Sequence, residues 1–261
     1  MSGVSTAAGI LARCPAGCAV TVEVVAETGS TNADLLERSA SLAGPALLVA
    51  GQQNAGRGRA GRSWLSAPGS TLMFSLAWKF KGPLRRLVGL PLAVGVALAE
   101  ALLGLGVPVQ LKWPNDLLKD GAKLAGILVE TQAAPDGGVW AVIGAGINLL
   151  MPDELEARIG HGAAAAPWLA AMDRDELMAT LLARLAAVLT EFDEGGFSPF
   201  RARWNLLHAH QGQSVAILDH GKVLQQGLAA GVGRNGCLLL DTAGGRIEIV
   251  SGDVSLRPTS Q

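Results

Sequence analysis

A chain of 261 residues with 21 Lys and Arg against 22 Asp and Glu has a net charge of −1, which excludes the global positive field of a nucleic-acid coat or anionic-membrane binder. A hydrophobic share of 49% and a charged share of 16% supply a sizeable core and exclude general disorder. Tyrosine is absent, so no mechanism can rest on a phenol, and Cys14, Cys18 and Cys237 form no CxxC pair for zinc or redox chemistry. No basic stretch precedes the short apolar run near the start, so a secretory signal is not expected and the setting read from the sequence is cytoplasmic.

In chain order, residues 1–20 read as an irregular leader. The β-branched stretch 21–28 predicts a strand. A helix follows with Ser30 or Thr31 as its N-cap and Leu35 and Leu36 on its buried face. LLVAGQQ (47–53) and STLMFSLAWKF (70–80) are further strands, separated by the glycine- and arginine-rich NAGRGRAGRSW. Pro83 is expected to open an apolar helix; its Arg85, Arg86, Pro91 and Glu100 make it a buried element rather than a membrane span. Three more strands are expected between residues 109 and 149, and HGAAAAP (161–167) reads as a mobile loop. Leu177, Leu181, Leu185 and Leu189 repeat at helical spacing over 173–192. Beyond a boundary near 209–211, short strands with turns at His220-Gly221, Asn235-Gly236 and Gly244-Gly245 have the rhythm of a small β-barrel.

Four segments carry chemistry. Gly56-Arg57-Gly58-Arg59-Ala60-Gly61 satisfies G-x-G-x-x-G after a strand, but Pro68 and Gly69 forbid the helix that a dinucleotide-binding turn requires. Arg57, Arg59 and Arg62 on a glycine-freed backbone suit an arm that wraps an anionic ligand; a solvated basic loop is the plainer reading. Lys112-Trp113-Pro114-Asn115-Asp116 gathers a cation, an amide and a carboxylate at a strand end, and alone it also fits a surface hairpin over a buried Trp. Lys123 opens an apolar strand three residues before Gly126, placed either to meet a carboxylate or phosphate oxygen or simply to snorkel. Gly144-Ala145-Gly146-Ile147-Asn148 ends a strand in an amide able to pair with a base edge or cap a turn. His161, His208, His210 and His220 show no metal-ligand spacing and read as structural or surface residues.

In their order and approximate spacing, Ser30-Thr31-Asn32, Gln53, GRGRAGR (56–62), KWPND (112–116), KLAGIL (123–128) and GAGIN (144–148) resemble the biotin–protein ligase (biotin–[acetyl-CoA-carboxylase] ligase) family. The resemblance spans about residues 22–257. It implies an α+β fold: a mixed β-sheet catalytic domain packed with helices, of the class II synthetase type, over 21–209, then a small SH3-like β-barrel over 210–261. Only about 20 residues precede the first catalytic strand, too few for the N-terminal DNA-binding domain of bifunctional members, so a monofunctional form without nucleic-acid binding is expected.

The implied reaction activates biotin with ATP to biotinyl-5′-AMP, then transfers biotin to a lysine of a biotin carboxyl carrier protein. The resemblance puts Ser30, Thr31, Asn32 and Gln53 around the ureido ring, with Arg57, Gly58, Arg59, Lys123 and Gly126 completing the biotin site. It gives Arg59, Arg62, Trp64, Lys112, Asn115 and Asn148 to ATP, with Trp64 stacking on adenine. Lys123, Arg59, Lys112 and Asp116 are the implied catalytic set, Asp116 orienting Lys112 or assisting the acceptor lysine. Mg²⁺ would be held by phosphates and water, with no dedicated protein cage. No membrane partner is implied, and the oligomeric state, monomer or weak homodimer, stays open. Lipoate–protein ligase, octanoyltransferase and a non-catalytic biotin or nucleotide sensor are the alternatives. No cysteine stands where an octanoyl-type nucleophile would.

Overall fold

The computed structural model describes residues 5–15, 19–159, 162–219, 222–250 and 255–258. Cys18, His161 and the His220-Gly221 turn lie outside the described residues. The first layer is a seven-stranded sheet in the order β1-β2-β3-β7-β6-β5-β4. Its strands are β1 (Thr21–Thr28), β2 (Ala46–Gln53), β3 (Thr71–Phe80), β4 (Gln110–Lys112), β5 (Asp116–Lys119), β6 (Ala122–Ala133) and β7 (Val139–Asn148). β1 and β2 run parallel, and every other neighbouring pair is antiparallel.

Strand alternation assigns the two faces. On β7, Val139, Ala141, Ile143, Ala145 and Ile147 enter the main core. Helices α3 (Leu90–Gly104) and α6 (Arg174–Gly195) contribute to the same core. The opposite face holds a smaller cluster with Leu48, Ala77, Trp140 and Val142, covered by Leu35 of α2 (Thr31–Arg38). Position by position, that second face continues into Ser75 of β3, Leu128 of β6 and Gly144 and Gly146 of β7. α3 is apolar around its whole circumference because it is buried on nearly all sides. The run expected to open at Pro83 begins instead with a 3-10 turn, Leu84–Leu87, and the α-helix starts at Leu90. Gly89 sits between them at φ 85, a left-handed conformation that breaks the helix and that glycine adopts at no steric cost.

The N-terminal segment departs from the expected irregular leader. It folds as α1 (Ala7–Arg13), capped by Thr6, with Ile10 fully buried. Its anchors lie far off in sequence: Thr6 N–H donates to Asp175 Oδ1 at 2.8 Å, and Arg13 pairs with Asp173 at 2.9 Å. Three helices are tied by one carboxylate: Glu100 of α3 accepts from Arg184 of α6 and from Arg203 of α7 (Arg201–Leu206). Burial alone would raise the Glu100 carboxyl; the hydrogen bonds from Arg203 and Arg184 outweigh it and hold it below the ordinary carboxylate range. Two short helices, α4 (Asp153–Ile159) and α5 (Pro167–Ala171), link β7 to α6. The described part of 161–167 is tied to the sheet by a bridge between Ala163 and Lys123.

The C-terminal sheet has the order β11-β10-β9-β8-β12. It comprises β8 (Ser214–Asp219), β9 (Lys222–Val232), β10 (Leu238–Thr242), β11 (Gly245–Ile249) and β12 (Ser255–Pro258), all paired antiparallel. It docks on the first layer through Trp113, 1% exposed, whose indole N–H donates to the Gly236 carbonyl at 3.0 Å. Asn205 Oδ1 adds a second tie by accepting from Val232 N–H at 2.8 Å.

Leu181 of α6 has no exposed surface. Leu181→Ala is expected to lower the unfolding free energy by about 2–5 kcal/mol through lost burial and the cavity left behind. Urea titration measures this; a loss well under about 1 kcal/mol would show that α6 does not seal the core.

Candidate active site

On the α2 face, the sheet exchanges bulk for room. Gly126 of β6 pairs with Gly146 of β7, and Leu128 with Gly144. A methyl group at 146 would lie 2.4 Å from the Trp64 ring, and one at 144 would lie 2.3 Å from Asn32 Oδ1. These glycines therefore form the bed on which Trp64 and Asn32 rest. Above them opens a cleft of about 930 Å³, open solvent at its mouth included. Ser30, Thr31, Asn32, Gln53, Arg57, Gly58, Arg59, Arg62, Trp64, Lys112, Asn115, Asp116, Lys123 and Gly126 all line it. Asn148 lies in an adjoining cavity of about 670 Å³, and Trp64 and Lys123 border both. The structure thus brings every residue of the sequence-derived set to one place, divided between two chambers.

The inner end is a polar relay at the start of α2. Ser30 caps the helix, its Oγ accepting from Ala33 N–H at 3.4 Å. Gln53 Oε1 accepts from Thr31 N–H at 2.8 Å, and Thr31 Oγ1 lies 2.6 Å from Ser75 Oγ. Ser75 Oγ donates to Asn32 Oδ1 at 2.6 Å, and Asn32 Nδ2 donates to Glu130 Oε2 at 3.0 Å. Ser30, Thr31, Asn32 and Ser75 are all buried, so their geometry is fixed before any ligand arrives.

The arginine segment is a small hairpin. Arg57 and Ser63 bridge antiparallel, Gly58 N–H donates to the Arg62 carbonyl at 2.6 Å, and Trp64 N–H donates to the Gly56 carbonyl at 2.9 Å. Its tip turns through Ala60 at φ 55 and Gly61 at φ 70. Side-chain contacts fasten it: Arg57 pairs with Glu130 at 2.6 Å, and Arg59 donates to Asn115 Oδ1 at 3.3 Å.

Lys112 and Asp116 face each other across the β4–β5 hairpin, either side of a cis Trp113-Pro114 bond. The Asp116 side chain pairs with Lys123 at 2.6 Å. The physical reason is register, since Asp116 stands opposite Gly126, and that bare position leaves space for the Lys123 chain to reach over. Lys123 Nζ also lies 5.6 Å from the centre of the Trp64 ring. In the second chamber, Asn148 Nδ2 donates to the Ala164 carbonyl at 3.2 Å. Asn148 Oδ1 and Trp64 Nε1 are buried with no hydrogen-bond partner among the described residues. A ligand offering a donor and an acceptor there relieves a cost of about 1–3 kcal/mol for each group. Among the described residues, no group of three His, Cys, Asp or Glu forms a metal cage, and Asp116 is the one carboxylate lining the main cleft.

Sequence reading missed Ser75 and Glu130. Glu130 was findable: Gly126, Leu128 and Glu130 recur at the two-residue period of one strand face. Ser75 lies in an apolar strand without a local signal.

Cations gathered round a pre-formed cleft suit an enzyme that joins anionic reactants, and known proteins similar to this chain give that class a family. The chain belongs to the Biotin/lipoate A/B protein ligase family, matched over residues 23–148, and residues 210–257 match the Biotin protein ligase C terminal domain. It is 35% identical over 243 residues to the bifunctional ligase/repressor BirA of Escherichia coli (strain K12), spanning 90% of this chain and 74% of that protein. It is 34% identical to the biotin–[acetyl-CoA-carboxylase] ligase of Mycobacterium tuberculosis (strain ATCC 25618 / H37Rv), covering 89% and 88% respectively. The biotin protein ligase of Aquifex aeolicus, solved in complex with biotin and ATP, superposes with a TM-score of 0.75 at 31% identity, covering 91% of this chain and 99% of that one.

Behind the site, His208 and His210 are 4% and 7% exposed, and His208 lies 4.7 Å from the Trp204 ring, centroid to centroid. Burial pushes the His208 pKa down to about 4 despite its hydrogen bond to Gln211. Burial and the nearby Lys112 charge also lower His210. Unfolded, both rings take a proton near pH 6.5, so from there down to about 4 the unfolded chain binds more protons and acidification favours unfolding. The expected result is a loss of stability from about pH 7 to about pH 4.5 that His208→Phe reduces, as measured by urea titration at each pH. Identical pH dependence in wild type and variant would show that His208 is not held neutral.

Proposed function

We propose that this protein activates biotin with ATP to biotinyl-5′-AMP and pyrophosphate, then transfers biotin to one lysine of a biotin carboxyl carrier protein. The observation that carries the reading is the position of Lys123: it borders both chambers, one lined by a polar relay and the other by Asn148, whose Oδ1 has no hydrogen-bond partner among the described residues, with Trp64 between them. In the first step an oxygen of the biotin carboxylate attacks the α-phosphorus as pyrophosphate leaves. In the second, the acceptor amine attacks the acyl carbon, the C–O bond to AMP breaks, and the amine loses a proton.

Both steps concentrate negative oxygens, so fixed cations rather than a covalent nucleophile do the work. The relay of Ser30, Thr31, Asn32 and Gln53 receives the ureido ring, which needs donors and acceptors together. Lys123 contacts the carboxylate and the α-phosphate, with Asp116 holding its ammonium in place. Arg57, Gly58 and Arg59 close over the chain and phosphates, and Gly126 leaves room beneath them. Arg59, Arg62, Lys112 and Asn115 orient the triphosphate. Trp64 and Asn148 receive the adenine, whose exocyclic amine supplies the donor that Asn148 Oδ1 lacks. A magnesium ion would be held by phosphate oxygens and water, without a protein cage, and would neutralise charge on the triphosphate. The enzyme acts in the cytoplasm, where its carrier is made.

Incubation with biotin, MgATP and a carrier domain is expected to add one biotinyl group to the carrier, read by intact mass. Lys123→Ala is expected to slow adenylate formation by roughly two to three powers of ten, about 3–4 kcal/mol. A folded Lys123→Ala variant with near-native rate would remove Lys123 from this role.

A further inference from the structure

We infer that Glu130 is a positioning residue that couples the inner relay of the cleft to closure of the arginine hairpin; this rests on the biotin-ligase reading above. Glu130 lies two residues beyond Leu128 on the cavity face of β6, just outside the cleft lining. Its Oε2 accepts two bonds: from Asn32 Nδ2 at 3.0 Å and from the Arg57 guanidinium at 2.6 Å. Asn32 has little freedom otherwise. Its amide rests on Gly144, its Oδ1 takes the Ser75 proton, and its Nδ2 also reaches the Leu128 carbonyl at 3.3 Å. The carboxylate is therefore built into the fixed floor on one side and grips the hairpin on the other.

Hairpin opening separates Arg57 from Glu130 and leaves a half-buried carboxylate with only a neutral amide donor. Closure restores a charge-assisted bond, stronger than a neutral one. Because the same oxygen serves Asn32, anything that fixes the Asn32 amide also fixes the anchor point of the hairpin. Glu130 thus acts through Arg57 and Asn32, without touching the reacting atoms. Its job is retention: a closed hairpin keeps the mixed anhydride from leaving before the carrier arrives.

The test is Glu130→Gln, which keeps shape and removes charge, with Glu130→Asp as a second variant that keeps charge and shortens reach. Each is assayed for adenylate formation at saturating biotin, for KM of biotin, and for stray biotin on lysines of serum albumin, a bystander without a carrier fold. Expected for Glu130→Gln are an unchanged melting temperature, a KM for biotin about tenfold higher, a saturated rate within about twofold, and about tenfold more label on albumin. Glu130→Asp should give an intermediate leak, and in an Arg57→Ala background Glu130→Gln should add no further leak. Albumin labelling at the wild-type level in both folded Glu130 variants overturns the inference, as does a leak that multiplies in the double variant. Those results leave the ligase reading intact when wild type labels the carrier. Failure of wild type to label it overturns both.

Discussion

Mutual repulsion between a carboxylate and a triphosphate is the constraint on which the design of this site depends. Two unit charges about 4 Å apart repel by about 4 kcal/mol at an effective dielectric of about 20, and partial exclusion of water makes the cost steeper. The chain answers with Lys112, Lys123 and the arginines of the hairpin, all brought to one cleft. Bare cations would repel each other in turn. Asp116 against Lys123, Glu130 against Arg57 and Asn115 against Arg59 hold them apart and aimed while no ligand is present.

That arrangement works because one sheet does two jobs through strand alternation. Odd positions of β7 build the core against α3 and α6, while Gly144, Gly146 and Asn148 on the even positions make the bed and end wall of the site. The Trp113 indole carries the same logic to the second domain. Its ring is buried in the core, its N–H is bonded to Gly236, and its neighbours Lys112 and Asn115 line the cleft. Loosening the C-terminal sheet would therefore be felt at the Lys112 side of the cleft.

Much of this was legible in the sequence, where physics is local. Glycines and arginines marked the 56–62 segment as an arm, β-branched residues marked the first strand, and the i,i+4 leucines of α6 all fall in the core. What escaped depends on distant partners. α1 forms because Thr6 and Arg13 meet Asp175 and Asp173, more than a hundred residues away, so its seven residues looked irregular. The Asp116–Lys123 pair depends on strand register, invisible in a five-residue motif, which sets Gly126 opposite Asp116. The division of the site into two chambers depends on the seat of Trp64, which no spacing foretells.

Pyrophosphate exchange measures the joining of the two anions without any carrier. Labelled pyrophosphate should enter ATP when biotin is supplied, with lipoate supporting none. Exchange driven by lipoate, or no exchange with biotin, would contradict the claim that this cleft activates the biotin carboxylate.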